Sequence, residues 1–131
     1  MKPVKLPKVG LLQYRDSIFL DEVRYSNSCG TLRLTGDIST ATDDNEFIPY
    51  ELVFKRVLYF QSIELDFYEE NKLIASIMQV EDSALLNTLQ QKGNTKLTPQ
   101  HSHYIVATYD EVFEIVAQHD FTFSVKGVLT Y

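Results

Sequence analysis

The chain contains no tryptophan and one cysteine, Cys29, among its 131 residues. A lone thiol excludes an internal disulfide and fits a reducing compartment, so a cytoplasmic location is expected. No apolar run reaches membrane-spanning length. The opening MKPVKLPKVG interleaves Lys2, Lys5 and Lys8 with prolines and leads into no signal-peptide core. Cations are scarce: 12 Lys and Arg stand against 18 Asp and Glu, for a formal net charge of −6. Nucleic-acid binding through phosphates needs a cationic face, so the balance argues against nucleic acid and toward basic protein partners. GxSxG, P-loop, GxGxxG, HExxH and paired-cysteine patterns are missing as well. That removes the common hydrolase, nucleotide, dinucleotide and zinc signatures, and no cofactor is expected.

What is present points to strands. Hydrophobic residues make up 44% of the chain and charged residues 23%, an ordinary globular mix. The 8 Tyr and 8 Phe suit pleated, half-buried surfaces. Period-2 alternation sets Leu32, Leu34 and Ile38 against Thr31, Arg33 and Thr35. It likewise sets Tyr50, Leu52 and Phe54 against Glu51, Val53 and Lys55, and Ile63, Leu65 and Phe67 against Glu64 and Asp66. SNSCG and EENK carry turn chemistry, STATDDNE reads as an exposed acidic loop, and LIASIMQV suits a strand or a helix. DSALLNTLQQKG predicts a helix: Asp82 or Ser83 can cap it, Leu85, Leu86 and Leu89 form its apolar stripe, and Gly93 can end it. The fold class expected is α+β and strand-dominated: a single antiparallel sheet, flat or strongly curved, with one packed helix. One domain covers residues 1–131, with residues 1–8 as a flexible arm.

The stretch HSHYIVATYDEVFEIVA, residues 101–117, carries the sharpest ambiguity. Thr108 and Glu111 form a capping-box pattern, so a helix can start there. Against it, Phe113, Ile115, Ala117, Phe121, Phe123 and Val125 all fall on odd positions, which favours strand. Tyr109, Asp110 and Glu111 then form a hairpin tip. In a strand His101 and His103 share a face, and His119 lies near the start of the first strand. These three are the candidate metal ligands, but two histidines at a loop-to-strand boundary are the plainer explanation. Glu64 and Asp66 pair on one face and suit acid/base chemistry when buried, or simple solvation when not.

LRLTGDIS, YELVFKRVLYFQSIELDFYEE and HYIVATYDEVFEIVA, in that order, resemble small acidic bacterial proteins, some of them immunity proteins that neutralise a toxin. The resemblance spans most of residues 30–117 and rests on strand patterns. It implies a non-enzymatic, acidic protein-interaction domain that covers a basic toxin. The acids at Asp37, Asp43, Asp44, Glu46 and Glu51, and at Glu64, Asp66, Glu69 and Glu70, are the expected contact patches, with the Tyr109–Asp110 tip beside them. Two alternatives stand. One is a small-ligand-binding or enzymatic β-rich domain, its cleft lined by Tyr50, Tyr59, His101 or His103. The other is a homo-oligomer joined through an exposed strand edge.

Overall fold

The alternation in TLRLTGDIS and FIPYELVF becomes two long strands, each with its even-numbered residues buried. The computed structural model describes residues 2–6, 17–28, 30–39, 47–68, 75–92 and 96–125, the side chain of Asp66 excepted. Its strands are β1 (Lys2–Pro3), β2 (Ile18–Ser26), β3 (Thr31–Ser39), β4 (Phe47–Phe54), β5 (Tyr59–Glu64), β6 (Ile77–Val80), β7 (His101–Ala107), β8 (Glu111–Gln118) and β9 (Thr122–Val125). One helix, α1 (Ala84–Gln91), lies between β6 and β7 in the chain.

These strands build two antiparallel sheets, not the single sheet expected from the sequence: β2-β3-β4-β9 and β1-β6-β7-β8-β5. Alternation tells which face of a strand is apolar but not which strands share a sheet. The two apolar faces pack on each other. Leu32, Leu34, Tyr50, Leu52 and Phe54 from the first sheet meet Tyr104, Val106, Phe113 and Ile115 from the second. Phe54, Tyr104 and Phe121 form an aromatic knot there, with ring centroids 5.1–5.5 Å apart. Burying such a core stabilises at about 25 cal/mol per Å² of apolar surface.

The second sheet is also covered on its outer face. Leu65, Ala75, Met78, Ile105, Ala107 and Val112 form a smaller cluster there, so β7 and β8 are buried on both sides. This double burial explains why residues 108–119 read ambiguously. Val112 and Val116, which break the alternation, sit on the covered outer face. The segment is the strand β8, paired with β7 in a register that sets His101 against Gln118 and Ala107 against Val112.

Three expectations need correction. SIELDF does not alternate throughout: β5 ends at Glu64 and Leu65–Phe67 turn as a short 3₁₀ helix. Leu65 folds into the outer cluster while Phe67 is 82% exposed. Nor are residues 2–6 part of a loose arm, while residues 1, 7 and 8 lie outside the described residues. Lys2 and Pro3 pair with Gln79 and Met78, Val4 N–H donates to Ile77 O, and Leu6 is buried. Finally, α1 packs more loosely than its stripe suggested. Ser83 Oγ caps it by accepting from Leu86 N–H at 3.1 Å, but Leu85, Leu86 and Leu89 are only half-buried.

Gly36 shows how tightly β2 is laid down. β2 shifts register between Leu20 and Glu22, and a Cβ at Gly36 would collide with the Phe19 carbonyl. Only glycine lets the backbones approach so closely. The expected SNSCG turn includes Cys29, which lies outside the described residues; Gly30 stands at φ +60° just before β3, and its O accepts from Val57 N–H at 2.8 Å.

Candidate functional site

The antiparallel pairing sorts side chains to the two ends of the strands, and the ends differ in charge. At one end lie the start of β2, the end of β5 and the β7–β8 tip. The tip is a tight turn: Thr108 N–H donates to Glu111 O at 2.8 Å, and Glu111 N–H donates to Thr108 Oγ1 at 3.1 Å. Tyr109 N–H donates to Ile18 O, tying the tip to the other sheet, and Asp110 O accepts from Leu65 N–H at 2.8 Å. Tyr109 stacks on Phe19 at 5.3 Å, and Phe19 meets Phe47 edge-on at 5.6 Å. Phe47 is 59% exposed and Tyr109 45% exposed, so this aromatic ladder faces water.

Acids surround the ladder. Glu64 sits directly opposite Glu111 across β5 and β8, a like-charge pairing that costs stability. Asp110 and Glu64 are exposed. Beneath them Tyr50 is buried, and its hydroxyl has no hydrogen-bond partner among the described residues. Burial above all, then the charges of Asp21, Asp37 and Glu111, push its phenol well above the ordinary value.

Of the acids expected to bind, Glu64 and Asp110 therefore meet at one place, beside Tyr109. Asp43, Asp44, Glu46, Glu69 and Glu70 lie outside the described residues, as does the side chain of Asp66. Glu51 is on another face, 3.4 Å from Arg33. Phe19 and Phe47 were not anticipated. The signal for Phe47 was available: an aromatic residue directly after the acidic loop.

The histidines share the outer face of the second sheet, as their spacing implied, yet both are engaged. His101 Nδ1 accepts from Thr98 N–H at 3.2 Å, which leaves Nε2–H to donate to Arg56 O at 3.2 Å. His103 Nδ1 lies 2.7 Å from Ser83 Oγ, and its Nε2 lies 3.2 Å from Glu114 Oε1. Burial outweighs the Glu114 carboxylate and holds the His103 imidazole below its ordinary value. His103 is thus neutral near pH 7: Ser83 Oγ–H donates to Nδ1, and Nε2–H donates to Glu114. The residue types match a nucleophilic triad, but Ser83 Oγ is buried and already accepts the cap bond from Leu86. This chain of bonds ties α1 to the sheet. His119 is exposed and only its backbone is bound, to Gln100 O. No group of three His, Cys, Asp or Glu suited to a metal occurs among the described residues.

Tyr50, Tyr59, His101 and His103, each offered as a possible lining of a ligand cleft, do not come together at one place. Tyr50 lies between the sheets, His103 lies on the outer face, and Tyr59 bonds its neighbour Gln61 at 2.7 Å. Of these four, His101 borders a cleft of about 870 Å³ at the other end of the strands. That cleft is lined by Lys55, Arg56 and Lys96 as well as Tyr25, His101 and Gln118.

The fold and its two ends define a two-sheet β-sandwich with an acidic, aromatic tip and a cationic cleft. Comparison with protein-family models, with curated proteins and with solved structures finds no match. No described helix is long and apolar enough to cross a membrane.

Proposed function

We propose that the chain is a non-enzymatic interaction domain that docks a basic protein through its acidic, aromatic end, as an immunity protein docks its toxin. The observation that carries this reading is the exposed ladder Tyr109–Phe19–Phe47 bordered by Asp110, Glu64 and Glu111. Exposed aromatics supply affinity by burial in a partner's pocket, and the surrounding acids steer a cationic partner into register. The pairing of Glu64 with Glu111 costs the free protein some stability, and a partner's lysine or arginine placed between them would relieve that cost.

Affinity capture from the cells that make the protein tests this. A stoichiometric basic protein should be recovered, and Glu64→Lys with Asp110→Lys should abolish its recovery, whereas Lys55→Glu at the far end should leave it intact. Repeated captures that return no stoichiometric partner, or a partner indifferent to the double reversal, overturn the reading.

A further inference from the structure

We propose that the cleft at the far end of the strands binds a small phosphorylated molecule, with Lys55, Arg56 and Lys96 as its cationic contacts. The site does not depend on the acidic end. The cleft's volume, about 870 Å³, lies within the range of small-molecule sites. Among the described residues, three cations and no acid line it, in a protein whose formal net charge is −6. Lys55 and Arg56 have no ion-pair partner among the described residues.

The backbone that presents them is held on both sides. Arg56 stands at φ +49°, a left-handed conformation that a non-glycine residue adopts at a cost. His101 Nε2–H donates to its carbonyl at 3.2 Å, and the next amide, Val57 N–H, donates to Gly30 O at 2.8 Å. Gln118 N–H binds Lys55 O at 3.0 Å from a third direction. These bonds fix a short strained loop whose two adjacent side chains are exposed and cationic. A guanidinium beside an ammonium suits phosphate oxygens: the first gives paired donors, the second a point charge. Asn27, Thr31 and Thr98 add neutral polar groups around the cleft. At its rim Tyr25 leans on Phe60, 5.2 Å between centroids, and both rings are partly exposed. The rings offer an apolar surface for the organic body that carries the phosphate.

Calorimetric titration of the whole chain with inorganic pyrophosphate and with adenosine diphosphate tests the site. Both should bind with one-to-one stoichiometry, and the diphosphate ester should bind more tightly if the Tyr25 rim takes its body. Lys55→Glu with Arg56→Glu should weaken both at least about tenfold, each lost charged hydrogen bond being worth more than that factor. A second measurement needs no variant. In amide NMR spectra, pyrophosphate should shift Gly30, Thr31, Val57 and His101 and leave Tyr109 and Asp110 still. No saturable heat at about 5 mM ligand, where even a millimolar site is mostly filled, overturns the proposal. So does undiminished binding by a folded double variant, or shifts confined to other surfaces.

Discussion

The two ends of the sandwich are built from the same strands and do opposite things with them. At the β7–β8 tip, aromatic rings are stacked outward and carboxylates are crowded together, with Glu64 facing Glu111. At the other end the chain sets exposed cations around a cleft, with Arg56 in a left-handed backbone conformation. A convex apolar tip suits a macromolecular partner, whereas a polar hollow suits a small ligand. The difference shows that net charge describes the molecule poorly: a formal −6 says nothing of a cleft lined by Lys55, Arg56 and Lys96.

The comparison can be broken most severely at Gly36. Gly36→Ala would force the β2 backbone at Phe19 away from β3 and so dismantle the aromatic ladder. A loss of about 3–5 kcal/mol is expected in urea unfolding, with Tyr109 exposed to quencher in whatever fold remains. A loss under about 1 kcal/mol would mean that the close approach is not what holds the tip.

His103→Ala comes next. It strands Ser83 and Glu114, and should cost about 2–3 kcal/mol and loosen α1, visible as lost helical circular dichroism, while the aromatic tip keeps its near-ultraviolet signal. The same residue sets a pH dependence. Its folded value is depressed, so below the free-histidine value of about 6.5 the unfolded chain binds more protons. The stability this contributes is complete above about pH 6.5 and drains away as pH falls toward the depressed value. Unfolding midpoints from pH 7.5 to 5 should therefore fall in the wild type, and less steeply in His103→Gln.

The smallest effect is expected at Tyr50. Tyr50→Phe removes a buried hydroxyl that has no partner among the described residues, and should be neutral or stabilising by up to about 1 kcal/mol. A clear destabilisation would reveal a bond that the hydroxyl makes and would give the acidic end an internal polar anchor.

Part of the strand pattern was legible because β3 has one buried and one wetter face. Leu32, Leu34 and Ile38 against Arg33 and Thr35 is a period that burial alone writes. Legibility failed where both faces are covered, as at Val112 and Val116, and where the chain leaves a sheet, as at Leu65. It also failed between strands, since nothing local says that β5 crosses to β8 while β4 pairs with β9. The site followed the same rule. Tyr109 and Asp110, adjacent in sequence, could be picked out, and Glu64 came with them only because β5 pairs with β8. The cationic cleft could not be read, because Lys55 and Arg56 lie about 40 residues from Lys96 in the chain and meet it only in the folded cleft that all three line.

The double covering of β7 and β8 has a consequence on a slower timescale. Their amides are hydrogen-bonded between neighbouring strands and shut off from water on both sides, so they exchange with deuterium only when the whole domain opens. α1, with no fully buried residue, exchanges through fraying that leaves the sheets intact. The strands HSHYIVA and EVFEIVA, on either side of the exposed Tyr109–Asp110 tip, are then the slowest clock among the described residues, and their protection reads out the global stability directly.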